Sequence, residues 1–326
     1  MTHKKLNRII ALFAFLVPMV VYVLTIAPTV VFWDVGEFIA AAYMLQVPHP
    51  PGSPLFLLLT RIVMMIPFAS DLAVRAHALS AVLSSLAIMF LYLVIVRVII
   101  KMRGMPETLA DKLAVYDSAF IGAMSLAFGT TYWDNAIEAE VYGPSMFFLT
   151  VIMWLAMRWL ERADTEGGER YVLLIAYLIG LSLGVHLLAL LSIFPVLMII
   201  YFKRYEFSLN SFVKFGLVAV AVFFVVYPGI VKWMPGMMDG EFGKTKAEIL
   251  KYIPWGILLA ALYGIYYSYI HKKRMLHIAL LSGVMIFFGY STYTSVIIRA
   301  NQNPPMNEND PSNLARLTSY LGREQY

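Results

Sequence analysis

The sequence predicts an all-α integral membrane fold, with about nine transmembrane helices and a short interfacial helix in the first external loop. Three observations carry that prediction. Of the 326 residues, 60% are hydrophobic, and the mean hydropathy is +0.74. Charged residues make up only 14%, against roughly 25% in soluble domains. The basic residues fall in short clusters between apolar runs, the pattern by which membrane proteins set their orientation. That distribution accounts for the net charge of +5 and argues against a nucleic-acid partner. The chain has no cysteine, so disulfides and thiolate metal sites are excluded.

The first span is expected at Ile9 to Ile26. Lys4, Lys5 and Arg8 hold its start in the cytoplasm, and no small-residue cleavage site ends it, so it reads as a retained helix. Ala27 to Gly52 is then external, and Val35 to Gln46 reads as a short interfacial helix. The apolar run from Pro54 to Phe68 is too short for an ordinary span and reads as interfacial or re-entrant. Spans follow at Leu72 to Ile100, Leu113 to Thr131 and Tyr142 to Leu160. Tyr171 to Phe202 reads as two short helices meeting at an apex near His186, with Pro195 breaking the second half. The last three spans are expected at Phe212 to Val231, Ile253 to Ile270 and Met275 to Ile298. On this path most basic clusters share one side, and residues 1–326 form one domain.

The same path puts four polar segments on the other side. The first holds Asp34, Glu37 and His49; the second holds Asp134, Glu138, Glu140 and Tyr142. The third is the apex at His186, and the fourth runs on from Arg299 through Asn301, Asn303, Glu308 and Asp310. They are expected to converge in one pocket on the non-cytoplasmic leaflet. A carboxylate there can take a proton from a hydroxyl acceptor, and an arginine can bind a lipid-linked phosphate through two parallel hydrogen bonds.

Each residue also has a plainer reading. Asp34 and Glu37 form a D-x-x-E pattern, which also starts helices. His49, inside PHPPG, is also a turn residue. Glu138 and Glu140 lie two apart, so on a helix only one of them faces a site; Glu140 is the one expected to point inward. His186 could be a hydrogen-bonded core histidine, and Arg299 an interfacial anchor whose charge snorkels outward. Trp33, Tyr132 and Trp133 read as belt aromatics. No phosphate loop, H-E-x-x-H or G-x-S-x-G motif is present. The histidines are too scattered for a zinc site, so no metal site is assigned by spacing. A divalent cation held by Asp34, Glu37 and Glu140 is conceivable, but nothing in the sequence requires it.

The segment WDVGEFIAAAYMLQVPHPPGSPLF resembles the first loop of glycosyltransferase family 117, which includes a vertebrate protein O-mannosyltransferase. IEAEVY at Ile137 to Tyr142, GLSLGVHLLALL at Gly180 to Leu191 and RANQNPPMNENDP at Arg299 to Pro311 are similar to the pattern of that family as well. The resemblance implies a C-type glycosyltransferase fold, with a polyprenyl-phosphate sugar as donor and a first-loop carboxylate as base. Carried onto this chain, the base falls on Asp34, with Glu37 as its catalytic neighbour. His49, Glu138, Glu140, Tyr142, His186, Arg299, Asn301 and Asn303 are the substrate- and donor-binding candidates.

The expected reaction moves a sugar, mannose being the expected one, to a Ser or Thr hydroxyl of a protein acceptor. The setting is a lipid bilayer, expected to be a bacterial inner membrane with a periplasmic site, and the chain is expected to continue past Tyr326. The competing class is a proton-coupled transporter or lipid-carrier flippase. It expects its ionisable residues near mid-membrane, whereas here most lie in loops at one face. A structural subunit of an envelope assembly would give no reason for the carboxylate and arginine loops.

Overall fold

The computed structural model describes residues 3–324; the last two residues of the expected external tail, Gln325 and Tyr326, lie outside the described residues. The helices are α1 (His3–Leu24), α2 (Val35–Met44), α3 (Pro54–Met64), α4 (Leu72–Arg103), α5 (Leu109–Ala127), α6 (Thr130–Ala136), α7 (Tyr142–Arg162) and α8 (Glu169–Leu183). They continue with α9 (Ile193–Arg204), α10 (Leu209–Phe224), α11 (Met234–Met238), α12 (Ile253–Ile270), α13 (Arg274–Tyr290), α14 (Thr294–Ala300) and α15 (Leu314–Gly322). A π-helical turn, Val225–Trp233, joins α10 to α11 around Pro228, and a small hairpin pairs β1 (Glu241–Phe242) with β2 (Thr245–Lys246).

The protein is an all-α membrane protein. Among the described residues seven helical stretches are long and apolar enough to cross a bilayer, or eight if α5 and α6, bent by 70°, form one broken span. With α5 and α6 counted as one span, the difference from about nine lies at α8. Its 15 residues reach only ~22 Å at 1.5 Å per residue, short of a hydrocarbon core of ~30 Å. The chain does break near His186, as expected, at Gly184–His186 followed by the 3-10 turn Leu187–Ser192. Pro195, expected to break the second half, does not interrupt α9. It occupies the first turn of α9, where a missing N–H leaves no intrahelical bond unmade.

Packing divides the chain into two compact units. One comprises Met1–Met44, Phe56–Arg158 and Val185–Ala189; the other comprises Leu45–Leu55, Trp159–Gly184 and Leu190–Tyr326. The first unit is built on α1, α4 and α5. Ala119, Ala123 and Ala127 lie one turn apart on α5, fully buried, and meet Ala11 and Ala14 of α1 and Ile88, Tyr92 and Val96 of α4 in one cluster. In a bilayer, close approach of backbones takes the place of the hydrophobic drive, so small residues at that seam are what packing requires. Tyr22 and Tyr92 are buried there and still satisfied, donating to the Ala127 carbonyl at 2.8 Å and to Asn7 Oδ1 at 2.9 Å. The ring of His3 meets Tyr116 in the N-terminal half of α5, so the basic residues at the start of α1, the end of α4 and the start of α5 share one end of this unit.

The second unit is organised by the crossing of α8 and α13. Gly180 and Gly289 face each other there. A Cβ on Gly180 would lie under 3.0 Å from the Ile286 carbonyl, and one on Gly289 under 3.0 Å from the backbone of Tyr177 and Leu181. One end of the unit gathers ion pairs: Arg274 with Glu169, and Lys203 and Arg204 with Asp164. At the other end the Tyr293 hydroxyl donates to the Leu183 carbonyl at 3.1 Å, and Leu55 N–H donates to the Gly184 carbonyl at 2.8 Å.

Candidate functional site

In the first unit, Asp34 stands where α2 begins. Its backbone carbonyl accepts from Phe38 N–H at 2.9 Å, and its side chain is exposed. Glu37, half-buried, lies in the first turn, and a carboxylate oxygen from each residue falls within 4.8 Å of the other. The helix is held by its apolar face: Val35, Phe38, Ile39, Ala41 and Ala42 are buried, and Phe38 meets Phe56 of α3 edge to face at 5.4 Å between ring centres. The segment before Asp34 carries exposed apolar side chains, with Phe32 at 90% and Trp33 at 93% exposure, and Trp33 has φ +65°.

Three contacts tie this segment to its surroundings. Ala27 N–H donates to the Ile137 carbonyl at 3.2 Å, which pairs the first external segment with the second. Trp133 Nε1–H donates to Thr25 Oγ1 at 2.9 Å. His77 of α4, fully buried, lies with Nε2 3.1 Å from the Thr29 carbonyl. A carbonyl only accepts, so Nε2 carries the proton and Nδ1 is left as an acceptor; Nδ1 is buried with no protein partner among the described residues. Sequence reasoning did not select His77. The available signal was a histidine in an apolar helical run, a default functional hypothesis at membrane depth.

The second external segment is a turn, not a helix, from Ile137 to Glu140. The expected helical facing of Glu138 and Glu140 therefore does not apply, and a separate anchor decides their burial. Ser80 Oγ, one turn along α4 from His77, donates to the Glu140 carbonyl at 3.1 Å, and Glu140 N–H lies 3.3 Å from the same oxygen. Glu140 is buried, its Oε2 accepting from Val141 N–H at 3.3 Å. Glu138 stays half-buried, and its carboxyl is held above the ordinary glutamate range, first by burial and then by the nearby Asp134 charge. Tyr142, at the start of α7, packs its ring on that of His186 at 5.1 Å between centres. His186 Nδ1 accepts from Leu188 N–H at 3.1 Å, which places the imidazole proton on Nε2.

In the second unit, His49 is half-buried in the PHPPG turn, where the Pro50–Pro51 peptide is cis. Residues 45–48 lie along residues 299–308. Val47 N–H donates to the Met306 carbonyl at 3.1 Å, Glu308 N–H to the Val47 carbonyl at 3.1 Å, and Met306 N–H to Gln46 Oε1 at 2.7 Å. Arg299 is half-buried and spends Nε on the Leu45 carbonyl and Nη1 on Gln302 Oε1. Asn301 donates through Nδ2 to the Ile297 and Ser312 carbonyls, at 2.9 and 2.7 Å, so its amide braces the loop. Asn303 is exposed with φ +48°, a left-handed position that asparagine tolerates.

The family match covers the segments around Asp34, His49, Glu140 and His186 and stops before residues 299–308. The family model described as the protein O-mannosyl-transferase TMEM260 N-terminal domain matches residues 34–209, just over half of the 326 residues. A mouse protein named protein O-mannosyl-transferase TMEM260 is 28% identical over 201 residues, 60% of this chain and 26% of its own length. A Dictyostelium discoideum protein of the same name is 28% identical over 154 residues, 47% of this chain and 17% of its own length. The chain thus corresponds to about a quarter or less of each of these relatives. No solved structure matches. With a family model covering more than half its length and opening on Asp34, the chain belongs to the TMEM260 N-terminal domain family, in line with the glycosyltransferase family 117 pattern in its loops.

Proposed function

We propose that this chain is a membrane-embedded O-mannosyltransferase, taking mannose from a polyprenyl-phosphate donor to a Ser or Thr hydroxyl of a protein. The observation that carries the reading is the setting of Asp34. It is an exposed carboxylate at the start of α2, beside Glu37, on a segment tied to the second external loop and to the buried His77. Two relatives carry the name of that activity.

In the proposed reaction Asp34 takes the proton from the acceptor hydroxyl, and the freed oxygen bonds to the anomeric carbon. The bond from that carbon to the phosphate oxygen breaks, and polyprenyl phosphate leaves with the electron pair. The sugar inverts at that carbon. Glu37 orients Asp34. Arg299 is assigned to the donor phosphate, using the guanidinium donors not turned to Leu45 and Gln302. Glu138, Glu140, Tyr142, His186, His49, Asn301 and Asn303 are assigned to substrate and donor binding. In each unit the basic clusters and the candidate residues lie at opposite ends, which supports a site on the non-cytoplasmic side. A bacterial inner membrane with a periplasmic site remains the proposed placement, although the two named relatives come from eukaryotes.

The test is transfer of mannose from a polyprenyl-phosphate donor to an acceptor peptide, followed by mass spectrometry. Asp34→Asn is expected to lower turnover by at least about a hundredfold, the lower range for losing a general base. Turnover near wild type in a folded Asp34→Asn protein would remove Asp34 from the base role.

A second reading rests on carboxylate oxygens of Asp34 and Glu37 lying within 4.8 Å of each other, which suits two ligands of a divalent cation. Loss of transfer in chelator, with recovery on adding Mg²⁺ or Mn²⁺, would favour that reading; indifference to chelator favours the base.

A further inference from the structure

The turn that carries His49 is closed by its own backbone, Gly52 N–H donating to the His49 carbonyl at 2.9 Å, and a distant helix enters it. Tyr320, on α15, is fully buried, and its hydroxyl donates to the Pro48 carbonyl, with the His49 carbonyl 3.4 Å away. Gly52 closes the same turn at φ +86°, and a Cβ there would sit under 3.0 Å from the Tyr320 hydroxyl oxygen. The phenol therefore fills the space a side chain at position 52 would need. The approach is extended by backbone pairing, since Val47 bridges to Asn307 in parallel register and Gln46 caps Met306. Leu317 and Leu321 bury the same face of α15 that carries Tyr320, so the helix is anchored independently of the phenol. All of this lies within the second unit.

We propose that residues 299–322 form a latch on the PHPPG turn and that Tyr320 is a positioning residue for His49. The phenol gives its one proton to the Pro48 carbonyl, while the His49 carbonyl accepts from Gly52 N–H at 2.9 Å, so the backbone is pinned on both sides of the imidazole and the direction in which it leaves is set. Gly52 is the complementary half: its missing side chain is the slot the phenol occupies. The matched family segment ends at residue 209, so the latch is a contribution of the chain beyond that segment. The importance of His49 rests on the proposed function; the latch itself does not.

Residues 1–326 contain no cysteine, which makes the test clean, because one introduced thiol is the only one in those residues. The rate of maleimide labelling of H49C is measured with and without Tyr320→Phe. Ser182→Cys, fully buried on α8, serves as the control for global loosening. Tyr320→Phe is expected to raise the H49C labelling rate about tenfold, the scale of one buried hydrogen bond, and to leave Ser182→Cys protected. Gly52→Ala is expected to do the same. An unchanged H49C rate overturns the latch; a rise at both positions together also overturns it, because Tyr320 would then be an ordinary core residue. In the transfer assay, Tyr320→Phe is expected to lower kcat about tenfold with KM within about twofold. If the wild-type chain transfers no mannose, the proposed function fails while the labelling result still decides the latch.

Discussion

The imidazole of His77, buried on α4, donates through Nε2 to the carbonyl of Thr29 at 3.1 Å, five residues before Asp34. One turn further along the same helix, Ser80 holds the backbone of Glu140. A single face of α4 thus fixes the two external segments that carry the carboxylates, and Ala27 joins them directly through the Ile137 carbonyl. His77→Ala should lose that hydrogen bond and leave a cavity where a fully buried ring stood, at a cost of about 1–3 kcal/mol. The expected result is a lower Tm together with a kcat reduced about tenfold, and His77→Gln should recover part of both. Full turnover in His77→Ala would separate this helix from the site.

Glu138 gives a pH dependence whose sign follows from its surroundings. Burial and Asp134 both disfavour its charged form, so the folded protein binds the proton more tightly than the unfolded chain. Its contribution to stability is complete below the ordinary glutamate value of 4.5 and is lost as the pH rises through the raised folded value. Glu138→Gln should therefore flatten the fall of Tm with rising pH over that window. An identical Tm profile in wild type and variant would remove Glu138 as the source.

The contact of Gly180 with Gly289 leaves no room for a side chain on either helix. Gly180→Val should force α8 and α13 apart and destabilise the second unit by about 1–3 kcal/mol or more, the range for overpacking. Thermal unfolding in detergent reads this directly. Gly283→Ala on α13 is the control, because a Cβ there meets nothing within 4 Å. Equal Tm changes in the two variants would contradict the tight crossing.

Phe32 and Trp33 project almost fully exposed from the segment next to Asp34, and tryptophan favours the headgroup layer of a bilayer. In a variant keeping Trp33 as its only tryptophan, lipids brominated near the headgroup should quench its fluorescence more than lipids brominated near the chain end. Stronger quenching from the chain end would place this segment deep in the bilayer, away from the depth at which a protein hydroxyl arrives.

By itself the sequence determined the class and the elements. Long apolar runs punctuated by basic clusters can lie only in a bilayer as helices, because every backbone polar group there must be satisfied within the segment. The short helix before Gln46, the short apolar helix after Pro54 and the break near His186 were legible because proline, glycine and segment length act locally. The number of spans was less legible, because α8 is long enough to be a helix and too short to count as a crossing by length.

What only the tertiary structure decided is where the polar groups are spent. The pattern RANQNPP offered Arg299 and Asn301 as ligand binders, yet part of each side chain bonds to backbone carbonyls. His77 and Tyr320 carry no motif, and they gain their roles by meeting carbonyls 48 and 272 residues away in sequence. The physical reason is that a hydrogen bond between distant residues leaves no period or spacing in the chain; it exists only once packing has brought donor and acceptor within about 3 Å.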